Sequence, residues 1–481
     1  MIRTFLIRPA RGAAPVLGAW LALTASGAQA ADLDGAQLSV AYALPFVALL
    51  LGIAILPLVA ARFWHHHYGK YAAACALAFL VPFAVQFGAG AAAAGFVHAL
   101  VAEYIPFIVL LATLFTVAGG IYFSGNLHGT PALNTGLLAV GTVLASFMGT
   151  TGAAMLLIRP LIRANDNRRH SVHVFVFVFF IFLVANVGGS LTPLGDPPLF
   201  LGFLKGVAFS WTLRNILPET AFLALCLLAI FYAIDRYYYR KEGVVPSDPT
   251  PDSPESALRI HGKVNVVLLL GVVALVLMSG TWKPGVAFVA AGAEVGWESL
   301  ARDVGLLALL GLSLKLTPAM ARAGNQFNWA PMAEVAKLFA GIFLTMIPVL
   351  AMLKAGLHGP FAPIVASVTD VQGQPVPLMY FWATGALSGF LDNAPTYLVF
   401  FNLAGGDAQA LMTQFAPTLA AISAGAVFMG ALSYIGNAPN LMVKAVVEDR
   451  GLRMPSFFGY MAWSVGILLP LLVVVSLIWF R

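Results

Sequence analysis

Gly189-Ser190-Leu191-Thr192-Pro193-Leu194-Gly195-Asp196-Pro197-Pro198 and Gly430-Ala431-Leu432-Ser433-Tyr434-Ile435-Gly436-Asn437-Ala438-Pro439 stand 241 residues apart in one chain. The glycines and the last proline coincide at that offset, and Thr192 faces Ser433. Each stretch interrupts a long apolar run with helix breakers, because glycine loosens the backbone and proline removes a donor. Upstream of each lies a second interruption, Gly149-Thr150-Thr151-Gly152 in one half and Leu391-Asp392-Asn393-Ala394-Pro395 in the other. From Thr150 to Gly195 is 45 residues, and from Asp392 to Gly436 is 44. Four interruptions in two matched pairs predict an internal duplication.

The apolar runs belong to a membrane protein. Of 481 residues, 60% are hydrophobic and 10% charged, with mean hydropathy +0.88. A soluble chain carries about a quarter charged residues, so a water-soluble enzyme is excluded. Runs at 40–61, 71–95, 103–123, 171–209, 215–235, 263–280, 302–317, 331–354, 415–447 and 457–480 predict ten crossings of an all-α polytopic membrane protein. A net charge of +6 suits basic cytoplasmic loops rather than a nucleic-acid partner. Cys75 and Cys226 lie in apolar runs and form neither a disulfide framework nor a metal cluster. No G-x-x-x-x-G-K-[ST] loop is present, so no ATP or other organic cofactor is expected and the driving energy is an ion gradient.

Residues 1–31 read as a signal peptide: Arg3, Arg8 and Arg11 precede an apolar stretch and Ala28-Gln29-Ala30. A chain beginning outside after cleavage puts sixteen Lys and Arg on cytoplasmic loops and about five outside, which orients it in the inner membrane with a periplasmic N-terminus. That orientation fails if 134–163 crosses once. It holds if 134–163 and 378–405 are re-entrant hairpins opening to opposite faces, a fold allowed only where protein or water satisfies the backbone. The expected organisation is N-terminal helices (32–100), a first inverted repeat (101–235), a linker (236–262) and a second repeat (263–481), with two re-entrant hairpins and two broken helices.

Broken helices expose N–H groups at one half-helix start and C=O groups at the other half's end, which attract anions and cations respectively. Thr150, Thr151, Asn186, Thr192, Asp196, Asp392, Asn393, Ser433, Asn437 and Asn440 add oxygens and amides, with Ser190 and Thr396 beside them. These hard ligands suit Na⁺ or a hydrogen-bonded carboxylate, and no His or Cys cluster accompanies them. Asp196, Asp392 and Asn393 are the expected Na⁺ ligands. An ionised carboxylate at membrane depth costs about 2.5 to 3.5 kcal/mol, which implies a role. No Ser/His or His/Glu constellation at the breaks supports a hydrolase.

Gly389-Phe390-Leu391-Asp392-Asn393-Ala394-Pro395-Thr396, together with Asn186 to Pro198, resembles motifs of the ion-transporter superfamily. That group includes NhaD-type sodium/proton antiporters, arsenite exporters and citrate carriers, and Pro106 to Tyr122 is similar to its citrate transport/sodium:proton antiporter family. The resemblance implies a secondary transporter binding its substrate between hairpin tips and broken helices. It also implies a homodimer. It suggests Na⁺/H⁺ exchange, with Na⁺- or H⁺-coupled citrate transport as the alternative. Relatives carry Asp-Asn in the first hairpin as well, where this chain has Thr150-Thr151. One carboxylate fewer leaves room for an anionic substrate. Away from the breaks, His65-His66-His67 reads as a basic span flank, and Lys205 either pairs with a carboxylate or neutralises an anion.

Overall fold

The computed structural model describes residues 34–125, 127–166, 168, 174–242 and 259–481. The expected signal peptide and residues 243–258 of the expected linker lie outside them. The longer helices of the first half are α1 (Leu44–Val59), α2 (Ala61–Phe87), α3 (Ala89–Ala118), α4 (Pro131–Met148), α5 (Thr150–Ala164), α6 (Val174–Leu183), α7 (Pro197–Leu204) and α8 (Leu217–Glu242). The second half repeats the order with α9 (Val264–Thr281), α10 (Trp297–Leu316), α11 (Ala330–Lys354), α12 (Pro377–Ser388), α13 (Asn393–Leu403), α14 (Ala416–Met429), α15 (Ala438–Asp449) and α16 (Phe457–Trp479). Two short antiparallel pairs, Tyr122–Ser124 with Arg259–His261 and Val286–Ala290 with Ala293–Gly296, lie between helices.

Eight helices among the described residues are long and apolar enough to cross a bilayer, and the protein is an all-α, multi-pass membrane protein. The eight include α4, which is a hairpin arm. Setting α4 aside, and adding α10 and the broken pairs α6–α7 and α14–α15, reproduces the ten crossings read from the sequence.

Packing follows a swap between halves. The second arm of each hairpin lies against the second half-helix of the other repeat, α5 on α15 and α13 on α7. Likewise α2 packs on α11, and α10 on α3, while α8 meets its counterpart α16. Such exchange of partners is what an inverted duplication with a pseudo-two-fold axis produces. Both hairpins form as expected: α4 and α5 pack together around Gly149, whose φ of +81° suits glycine alone, and α12 and α13 pack around Asp392.

The early boundaries differ from the sequence reading. Helix α2 starts at Ala61 rather than near 71, and α3 starts at Ala89 rather than 103, running through the expected division at residue 100. A basic flank containing Arg62 and three histidines looks like a loop, yet it is helical because Arg62, His65 and His66 line an open cavity inside the bundle. The linker also shrinks, since α8 continues to Glu242 and Arg259–His261 pairs with Tyr122–Ser124.

The repeated glycines mark close backbone crossings. A β-carbon at Gly195 would stand 2.2 Å from the Gly189 carbonyl oxygen, and one at Gly436 2.6 Å from that of Gly430. We expect Gly195→Ala and Gly436→Ala each to destabilise the protein by about 1–3 kcal/mol. Gly136→Ala, in open space on α4, is expected to leave thermal denaturation in detergent unchanged or slightly raised. Equal melting temperatures for all three variants would contradict the crossing argument.

Candidate ion and substrate site

Four helices begin at one place. Gly149 precedes α5 and Asp392 precedes α13 at the hairpin tips. Asp196 (φ −139°, ψ 144°) precedes α7, and Asn437 (φ −152°, ψ 136°) precedes α15. Pro197 directly follows Asp196 and holds it in the extended region, whereas Pro439 sits in the first turn of α15, where its missing N–H costs nothing. Four N-termini together make a positive centre.

Asp196 occupies that centre and is 1% exposed. Its carboxylate accepts hydrogen bonds from the Thr150 hydroxyl (2.9 Å), the Asn437 amide (3.0 Å) and the Asn393 amide. Thr150 and Asn393 are the first helical residues of the two hairpin tips, and Asn437 is the counterpart of Asp196 in the other repeat. One carboxylate therefore ties all four interrupted elements together. The backbone N–H of Thr150 adds a bond to the Gly195 carbonyl at 2.8 Å. The side-chain oxygen of Asn393, Oδ1, is buried and accepts no hydrogen bond.

Asp392 is half-buried and has a different setting. Its side chain caps α13 through the Ala394 N–H at 3.1 Å and otherwise faces open space. Asp392 and Asn437 line both a central cavity, bounded by Thr150, Thr151, Asp196, Phe200 and Phe339, and a vestibule of about 920 Å³. Among the described residues no Lys or Arg lines the central cavity. The vestibule carries Arg62, His65, His66, Arg159, Glu334, Lys444 and Glu448, so it opens on the basic face.

Not every expected residue meets this cavity. Thr151 lines it. Thr192 donates to the Ser146 carbonyl, and Ser433 to that of Gly389 (2.5 Å), each stapling a broken helix to its hairpin. Asn186 donates to Asn440 (2.8 Å), and Asn440 donates to the Gly430 and Ser433 carbonyls (2.8 and 2.9 Å). These residues hold the breaks open and stand outside the cavity lining. Thr396 and Ser190 also bond nearby backbone, at Asp392 and Val187.

Sequence reading missed Ser146 and Ser388, whose hydroxyls reach the Gly188 (2.5 Å) and Ala426 (2.6 Å) carbonyls from equivalent places. Their 242-residue separation, the same as between the hairpin tips, was the available signal. Arg159 and Glu334 were also missed as cavity residues, and nothing in their local sequence marks them. His65 and His66 stand in the vestibule wall, where His66 Nδ1 is bonded to the Arg62 carbonyl at 2.8 Å. No cluster of three metal-ligating side chains occurs among the described residues.

Inverted repeats whose interrupted helices meet at a buried polar centre, with a cavity reaching one face, define a secondary transporter rather than an enzyme. The chain belongs to the family described as "putative citrate transport", whose model matches residues 35–480. Over 159 residues, 32% of its length, it is 32% identical to "Protein I'm not dead yet" of Drosophila melanogaster. That stretch spans 26% of the fly protein.

Proposed function

We propose that the protein exchanges Na⁺ for H⁺ across the inner membrane. The observation that carries this reading is a central cavity lined, among the described residues, by two carboxylates, Asp196 and Asp392, and by no cationic side chain. Asp196 and Asp392 offset the positive ends of the four helices, which disfavours a citrate anion bearing two or three charges and favours a small cation beside the carboxylates. The unbonded Oδ1 of Asn393 supplies a third hard oxygen, the ligand type that alkali cations take. Asp196 is already engaged by three donors and acts as a fixed anion. Asp392 faces the cavity and acts as the exchanging group, holding Na⁺ when ionised and a proton when neutral. The excess of basic residues around the vestibule supports a cytoplasmic position for that face and a periplasmic N-terminus; the working unit is proposed to be a homodimer.

A second reading, transport of citrate coupled to Na⁺ or H⁺, is favoured by Arg159. This residue is buried in the vestibule wall and donates to Gln326 at 3.0 Å. Among the described residues it makes no ion pair. A buried guanidinium in no direct ion pair suits an incoming anion, although Asp449 stands close enough to act on its charge. The family description also favours citrate.

Everted vesicles separate the two. Energised vesicles containing the protein are expected to lose their pH gradient when Na⁺ is added and to accumulate no labelled citrate. Citrate uptake without a Na⁺-induced collapse, lost in Arg159→Gln, would replace the first reading with the second.

A further inference from the structure

The vestibule opens the site to the basic face, and among the described residues the opposite path is closed in two layers. Phe200 and Phe339 line the central cavity, and Phe107 and Phe343 sit directly behind them. The Phe107 ring lies 4.7 Å from that of Phe339 and 5.6 Å from that of Phe343. Beyond the rings, Lys205 at the end of α7 is paired with Glu103 in the π-helical stretch of α3. By helix rise, Lys205 lies about 13 Å from Asp196, on the side away from the vestibule.

The pseudo-two-fold axis gives this pair its meaning. In an inverted-repeat carrier the two halves exchange conformations, so the closed path becomes the mirror image of the open one. Carrying the 241-residue offset of the broken helices over, Lys205 corresponds to Val446. Val446 lines the open vestibule. The position that is free and apolar on the open side is thus charged and paired on the closed side. The Phe200 position follows the same rule, since its counterpart Leu441 lines the vestibule. Arg302, 3% exposed, stands over Phe200 at 6.0 Å and is bonded to Asp303, which adds a second charged pair to the closed side.

We infer that the Glu103–Lys205 ion pair is the latch holding the path opposite the basic face shut, and that it must part for the site to open there. The inference rests on the secondary-transporter class and holds whether Na⁺ or citrate is carried. Both residues are positioning groups that touch neither cation nor proton in the closed form.

The test is sided labelling of Thr151→Cys, which lines the cavity, in a Cys75→Ala/Cys226→Ala background, using a membrane-impermeant thiol reagent on vesicles of both orientations. Without latch changes, labelling is expected from the basic face. Glu103→Gln and Lys205→Gln are each expected to raise labelling from the opposite face about tenfold, a modest shift in a two-state equilibrium. The exchanged pair Glu103→Lys/Lys205→Glu, and the conservative Lys205→Arg, are expected to restore the closed pattern. Unchanged sidedness in both neutral variants, or equal opening in the exchanged pair, overturns the latch. Failure of basic-face labelling in the parent overturns the vestibule instead, so the two failures are distinct.

Discussion

Replacing Asp392 by Asn is expected to abolish the Na⁺-induced collapse of a pH gradient in everted vesicles, lowering its rate about 100-fold or more. The magnitude follows from geometry. A unit cation about 4 Å from a carboxylate gains roughly 4 kcal/mol at an effective dielectric near 20, and each 1.4 kcal/mol is tenfold in affinity. The amide keeps the size and can still cap α13 by accepting from the Ala394 N–H, so the fold has no reason to fail. The same variant removes the group proposed to carry the proton. Loss of Na⁺ binding and of proton release should therefore appear together. A purified variant that exchanges Na⁺ at the parental rate removes Asp392 from the mechanism and leaves Asp196 as the acid of the cavity among the described residues.

Much of this site is legible before any coordinate, because helix breakers repeated at one offset are a backbone signal, and the backbone at these points is set by local chemistry. Gly149, Gly195, Gly436 and the prolines at 197 and 439 dictate where helices stop and restart. The tips and breaks followed directly from them. The role of each polar residue did not follow. Asn186, Thr192, Ser433 and Asn440 carry the same ligand chemistry as Asn393, yet they are spent on backbone carbonyls at the breaks, Asn186 on that of Ile181. Composition cannot tell an oxygen used to satisfy backbone from one offered to an ion. The Arg62 and His65 to His67 segment misled for a related reason. Hydropathy measures contact with lipid, and a helix whose polar first turns line an open cavity continues past the point where its apolar run begins.

Asp196 and Asp392 look alike in sequence, and their structural settings predict opposite phenotypes. Asp196→Ala would strip three donors, Thr150, Asn393 and Asn437, of their shared acceptor at the meeting point of four helices. Each orphaned buried donor costs about 1–3 kcal/mol, so a loss of roughly 3 kcal/mol or more is expected even after the carboxylate's own burial cost is recovered. The purified variant should melt several degrees lower than the parent with or without Na⁺. Asp392→Asn should melt like the parent in choline chloride and fail only to gain stability when NaCl replaces it. Saturating that site at about 100 times its dissociation constant contributes about 2.7 kcal/mol to the parent alone. Melting curves of the three proteins in the two salts thus separate an acid that builds the site from one that works in it. If Asp196→Ala keeps the parental melting temperature and loses the Na⁺ response, the assignment reverses, and Asp196 becomes the exchanging group.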